Sequence, residues 1–191
     1  MLMKVKGPAR VFDPRGAVNS AVTPIAARLR GLEGKRLGIL DNSKWNANKL
    51  LRGAAAALGE EIAFAAVNYY VKRSFSKDAA PELIDKIAAE NDLVLTAIGD
   101  CGSCTSACVR DAIQLERRGI PTAVIITTEF VRETDLTRIA LGMPGLAPVV
   151  IDHPVSSLTA EEIVARVAQV RGRVRSVWLG AATAGGGTPA R

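Results

Sequence analysis

Aromatic side chains are scarce in this chain: two Trp, two Tyr and four Phe, 4% of 191 residues. Proteins that grip single-stranded nucleic acid use aromatic stacking platforms, so this composition argues against that role. Histidine is scarcer still, with His153 alone. Long apolar runs are missing. None approaches the roughly 18 residues of a membrane helix, and no membrane contact is expected. The segment Met1–Arg10 is basic but lacks the continuous apolar stretch of a signal peptide, so a cytoplasmic location is the expectation. No Gly-x-Gly-x-x-Gly and no Walker loop occurs, so no nucleotide cofactor is expected. Cysteine is absent everywhere but one place: Cys101, Cys104 and Cys108 all lie within eight positions. A structural disulfide framework would spread an even number of cysteines along the chain. An isolated cluster points to redox chemistry, nucleophilic chemistry or metal binding instead.

What is present reads as one globular unit. Hydrophobic residues make up 48% and charged residues 23%, ordinary values for a folded domain. The net charge of +6 comes from 25 Lys and Arg against 19 Asp and Glu. These cations are scattered along the chain and read as solvated surface, so no nucleic-acid partner is expected. From Leu37 onward short apolar runs alternate with helical patterns. Strands are expected at Leu37–Leu40, Ile62–Val67, Leu93–Ile98, Thr122–Thr127 and Val149–Ile151. Helices are expected at Ala47–Leu58, Ala80–Glu90, Thr105–Arg118, Phe130–Leu141 and from Thr159, with Glu161 and Glu162 in the last helix's first turn, where the dipole favours acids. Such alternation predicts an α/β fold: a flavodoxin-like three-layer sandwich with a mostly parallel five-stranded sheet. The expected domain spans residues 35–179. Residues 1–34 read as an N-terminal arm with a turn at Asp13-Pro14-Arg15-Gly16, and 180–191, with Gly185-Gly186-Gly187, as a disordered tail.

In open α/β sheets the ligand sits outside the carboxyl ends of the strands. The loops expected there carry Asp41 to Asn46, Gly99 to Cys104, Thr128 to Phe130, and Asp152-His153-Pro154. Cys101-Gly102-Ser103-Cys104 is a Cys-x-x-Cys at a strand-to-helix turn. Free N–H groups and the positive helix end favour a thiolate there, and the spacing allows a reversible disulfide. Cys108, four residues after Cys104, reads as a buried small hydrophobe. Other readings compete. Zinc needs a fourth ligand, and His153 lies on a different loop. Cys104 to Arg110 has the Cys-x5-Arg spacing of thiol phosphatases, but Arg110 falls inside the expected helix. An inert cysteine core fits poorly with so polar and glycine-rich a loop.

The segment Ala97-Ile98-Gly99-Asp100-Cys101-Gly102-Ser103-Cys104-Thr105-Ser106 resembles the signature of the UGSC selenoprotein-like family. Further matching pieces are Asp13-Pro14, Asn42-x-Lys44-x-Asn46 followed by Leu50-Leu51, Gly119-Ile120-Pro121, and the stretch from Gly142-x-Pro144 to His153-Pro154. The resemblance runs from about Ala9 to Val170. It implies that Cys101 occupies the position that is selenocysteine in some members. Selenium serves where a strong nucleophile or redox centre is needed, so the resemblance favours Cys101 over Cys104 as the attacking group. Trp45 departs from the smaller residue or proline expected at its position.

The expectation is a thiol-dependent enzyme that reduces a small molecule, with Cys101 as nucleophile, Cys104 as resolving thiol and His153 as acid or base near neutral pH. Lys44 is a candidate contact for an anionic substrate, and Asn42 and Asn46 offer neutral hydrogen bonds. Ser103 and Thr105, inside the signature, complete the candidate substrate contacts. Neither a metal nor another cofactor is expected. The alternatives are a non-redox hydrolase, lyase or transferase with the same nucleophile, and a subunit of a larger enzyme. The expected assembly is a homo-oligomer or a hetero-oligomer.

Overall fold

The computed structural model describes residues 20–180. The turn expected at Asp13–Gly16, and the tail expected beyond Gly180, lie outside the described residues. The elements run β1 (Arg36–Asp41), α1 (Ala47–Gly59), β2 (Ala66–Val71), α2 (Pro81–Glu90), β3 (Leu93–Gly99), α3 (Gly102–Glu116), β4 (Thr122–Thr127), α4 (Val131–Ala140), β5 (Val149–Ile151) and α5 (Ala160–Leu179). A short 3-10 turn, Thr128–Phe130, joins β4 to α4. All neighbouring strands are parallel, in the order β2-β1-β3-β4-β5. This is the flavodoxin-like order, and the α/β sandwich expected from the alternation is the fold observed.

The sequence dictates this layering through burial on both faces. β3 and β4 are buried at every position, which is why they read as unbroken apolar runs. On one face Leu37, Ile39, Leu95 and Ile125 pack against Leu50 and Leu51 of α1 and Trp178 of α5. On the other, Leu40 and Val94 meet Ile84 and Ile87 of α2, and Val124 and Ile126 meet Val109 and Ala112 of α3. Each such aliphatic side chain, fully buried, contributes about 1.5–3 kcal/mol. Trp178 is fully buried and its indole N–H donates to the Val94 carbonyl at 3.0 Å. Helix α5 starts with a reciprocal cap: the Thr159 hydroxyl accepts from the Glu162 N–H, and the Glu162 carboxylate accepts from the Thr159 N–H.

Two polar straps cross the sheet's lower and outer parts. The buried Glu116 carboxylate accepts from the Ala26 N–H at 2.7 Å and the Thr122 N–H at 2.8 Å, and pairs with Arg28. Leu29 donates to the Trp178 carbonyl at 3.0 Å, and Leu32 enters the core, so residues 20–34 lie along the body. On the other side Lys72 and Asp111 form a buried ion pair. Lys72 also donates to the Lys77 carbonyl at 2.8 Å, and the Ala79 N–H donates to Asp111 at 2.8 Å. This pair clips the β2–α2 loop onto α3.

The expected second strand needs correction. The strand is Ala66–Val71, not Ile62–Val67. Ile62 is 2% exposed because it packs into the core from the turn after α1, not from a strand. The true strand is the sheet's edge, with Val67 and Val71 exposed and Tyr70 buried, so its sequence is mixed in character. Helix α3 also begins at Gly102, three residues before the expected Thr105.

Candidate functional site

Order reverses between β1 and β3, whose following helices lie on opposite faces of the sheet. The crevice at such a switch point is where ligands bind in this architecture. Asp41 of β1 pairs in register with Ala97 of β3, so the loops after both strands leave the sheet side by side. The first carries Lys44, the second Cys101.

Cys101 is the N-cap of α3. Its Sγ accepts from the Cys104 N–H at 3.4 Å, and its carbonyl accepts from the N–H and hydroxyl of Thr105 at 2.9 and 2.8 Å. Gly99 makes this tight start possible, since a Cβ there would stand 2.7 Å from the Thr105 hydroxyl oxygen. Cys101 and Cys104 are joined by a disulfide. The two sulfurs are not equivalent: Cys104 is fully buried, and Cys101 is partly exposed. The Lys44 Nζ lies 3.8 Å from the Cys101 sulfur and 4.7 Å from the centre of the Phe75 ring. The exposed Ser103 places its hydroxyl 3.8 Å from the same sulfur. Cys108 is buried with a free thiol, which burial pushes up to about 12.

His153, at the end of β5, reaches this loop through Asp100. Its Nδ1 is 3.0 Å from the Asp100 carboxylate and 3.0 Å from the Thr127 hydroxyl. The Thr127 hydroxyl donates to the Gly99 carbonyl at 3.3 Å, so it has a lone pair for the ring. Both contacts are best met by an Nδ1–H donor, which leaves Nε2 as a free acceptor. Phe130 packs edge-on to the ring, centroids 5.8 Å apart. The His153 side chain is 33% exposed and Asp100 only 2%. Asp100 is the residue that the sequence undersold. Its carboxylate also accepts from the Val155 N–H at 3.2 Å, the Ser156 N–H at 2.8 Å and the Ser156 hydroxyl at 2.6 Å. It thus ties the cysteine loop to the β5–α5 loop.

The remaining candidates bond to the scaffold, and Asn46 also lines a cleft beside Lys44. Asn42 is fully buried: its amide donates to the Ile98 carbonyl at 3.1 Å and approaches Cys108 Sγ at 3.2 Å, and its oxygen accepts from the Lys44 N–H at 3.1 Å. Asn46 sits at φ 65° and donates to the carbonyls of Val155 at 3.0 Å and Leu158 at 2.8 Å. Thr105 is fully buried, with its hydroxyl on the Cys101 carbonyl. These three shape the loops that present Lys44, Cys101 and His153.

A cleft of about 520 Å³ opens beside Lys44, between α1 and the edge strand β2. Lys49 and Arg52 of α1 and Tyr69 and Val71 of β2 face it. The guanidinium of Arg52 lies over the Tyr69 ring at 4.1 Å. The Tyr69 hydroxyl donates to Asp41 at 2.6 Å, and burial, followed by that carboxylate, holds the phenol well above its ordinary range. Among the described residues, no group of three His, Cys, Asp or Glu side chains is placed to hold a metal ion. Nor is any helix there long and apolar enough to cross a membrane.

Fold and site together define a flavodoxin-like α/β protein with a disulfide-bonded Cys-x-x-Cys at the switch point of its sheet. The model of the UGSC family matches residues 10–180, and the chain belongs to the UGSC family. No curated protein matches the chain.

Proposed function

We propose that this protein is a thiol-dependent enzyme that reduces a small-molecule substrate through the Cys101–Cys104 pair. The observation that carries the reading is the asymmetry of the disulfide: one sulfur partly exposed, capping a helix and beside Lys44, the other buried beneath it. In the dithiol form a negative sulfur at Cys101 gains from the Cys104 N–H, the helix end and Lys44. That thiolate attacks an electrophilic atom of the substrate, and the displaced group leaves with the bonding pair and takes up a proton. Cys104 then attacks the Cys101 sulfur. The disulfide forms, the reduced fragment departs with the second electron pair, and two electrons have passed from dithiol to substrate. A low-molecular-weight or protein thiol restores the dithiol. His153, oriented through Nδ1 by Asp100, has Nε2 free to take the Cys101 thiol proton and then pass it to the leaving group.

The Asp100–His153 contact also favours a second reading, in which Cys101 forms a covalent adduct that His153 helps water or another acceptor to discharge. Cys104 is then dispensable. The first test is alkylation of the reduced protein by iodoacetamide at pH 7 with peptide mapping. A thiol at about 12, as in Cys108, is ionised roughly 3,000-fold less than an ordinary thiol at about 8.5. Cys101 should therefore be labelled at least about a hundredfold faster than Cys108. Equal and slow labelling of both would end the nucleophile reading. A Cys104→Ser protein that still turns over fully would leave only the second.

A further inference from the structure

The cleft between α1 and β2 has a chemical character that the cysteine loop alone does not explain. Its volume, about 520 Å³, is that of a small-molecule site. Three cations face it: Lys44, Lys49 and Arg52. Among the described residues none of the three makes a salt bridge. One carboxylate, Asp41, lies in the lining, but it is 4% exposed and already accepts from the Tyr69 hydroxyl and, at 2.7 Å, from the Ser43 N–H. Glu161, whose charge Lys49 stabilises, lies outside the lining. The first turn of α1 adds to the positive field. It contains no acid, and its N-cap Asn46 makes no side-chain cap, having turned its amide to the β5–α5 loop. Alongside this charge stand apolar surfaces left in water: Trp45 is 76% exposed and Val71 56%.

Cations without a salt bridge, one of them stacked on a tyrosine ring, beside an exposed indole suit a ligand with an oxyanion and a flat apolar body. Lys49 and Arg52 are three residues apart on one helix face, about 4.5 Å along its axis. Lys44 lies at the sulfur end, its Nζ 3.8 Å from Cys101 Sγ. We propose that this cleft seats the substrate, a small aromatic or similarly flat molecule whose carboxylate or phosphate is held by Lys49 and Arg52 while its reactive atom lies near Lys44 and Cys101. The identity of the substrate class rests on the thiol-enzyme reading, but the binding of such an anion does not require any chemistry.

The test therefore uses the oxidised protein, in which the disulfide is intact, and follows tryptophan fluorescence during titration with phenyl phosphate and with phenol. Trp178 is buried, so Trp45 carries the response. Phenyl phosphate should change the emission saturably, with phenol at least about tenfold weaker because it lacks the charge. A Lys49→Gln, Arg52→Gln double variant, its fold checked by circular dichroism, should bind phenyl phosphate at least about tenfold more weakly. Trp45→Phe should remove the signal. No saturable response, an equal response to phenol, unchanged affinity in the charge variant, or a signal that survives Trp45→Phe would each overturn the proposal. Fast alkylation of Cys101 with no phenyl phosphate binding would remove the cleft and spare the thiol reading; binding with an unreactive Cys101 would do the reverse.

Discussion

Asp100→Asn tests whether one carboxylate holds the two halves of the site together. In the native structure its oxygens face four donors: the Val155 and Ser156 N–H groups, the Ser156 hydroxyl and His153 Nδ1. Asparagine keeps one oxygen and replaces the other with a donor. If the amide oxygen stays on Ser156, where the contacts are 2.8 and 2.6 Å, the new NH2 meets the Val155 N–H and the His153 ring. His153 can respond by exchanging tautomers. The Val155 N–H lies 3.2 Å from both carboxylate oxygens, so it keeps the oxygen that stays on Ser156 and meets the NH2 on its other side. The Val155 and Ser156 bonds then pass from a charged to a neutral acceptor, which costs about 1–3 kcal/mol in all. The expected destabilisation is therefore about 1–3 kcal/mol. For a chain of this length each kcal/mol lowers Tm by about 2–4 °C, so calorimetry should show a fall of about 2–12 °C. Nitrogen NMR of the single histidine should show the proton moving from Nδ1 to Nε2. A fall below about 2 °C with an unchanged tautomer would refute the assignment of Asp100 as the tie between the two loops.

Removing Asp111 should unfold the protein more readily than any surface change: Asp111→Ala leaves Lys72 buried without its partner, and urea unfolding should show a loss of about 3–5 kcal/mol. Lys44→Gln should slow alkylation of reduced Cys101 about fivefold below the pH of full ionisation, because a charge some 4 Å away is worth about 1 kcal/mol even in water; an unchanged rate would detach Lys44 from the sulfur. Burial raises the Cys108 thiol to about 12, so raising the pH toward that value is what ionises it. Native protein should resist labelling at Cys108 through pH 9 and accept it on denaturation, read by mass spectrometry.

What the sequence made legible follows from how each element is buried. β3 and β4 are covered on both faces and announce themselves as apolar runs. β2 is an edge strand in which Asn68 and two tyrosines replace the run, while the apolar Ile62 nearby belongs to a turn, and the expectation followed the wrong residues. The first turn of α3 was hidden because Gly102 and Ser103 are weak helix formers, whereas the start is set by Cys101 acting as N-cap. Cys101 and His153 stood out by rarity and by position at strand ends. Asp100 did not, since its donors lie some 55 residues away and no local pattern marks them. Asn42, Asn46 and Thr105 read as substrate contacts because polar residues near a nucleophile do; the tertiary structure adds that each also bonds backbone groups, with Asn46 at the edge of the cleft beside Lys44. The cleft beside α1 needed the strand order, which puts β2 at the edge and leaves Tyr69 and Val71 facing Lys49 and Arg52.

The division of labour between the two cysteines is best measured with a nitrobenzoate aryl disulfide, which releases a coloured thiolate when a sulfur attacks it. Reduced wild-type protein should release two thiolates per chain and end as the Cys101–Cys104 disulfide, since Cys101 displaces the first and Cys104 the second. Cys104→Ser should release one and retain a single aryl adduct, which peptide mass mapping should place on Cys101. Cys101→Ser should react far more slowly, because Cys104 is buried. An adduct that maps to Cys104, or a wild-type protein that keeps its adduct and releases only one thiolate, would contradict the account.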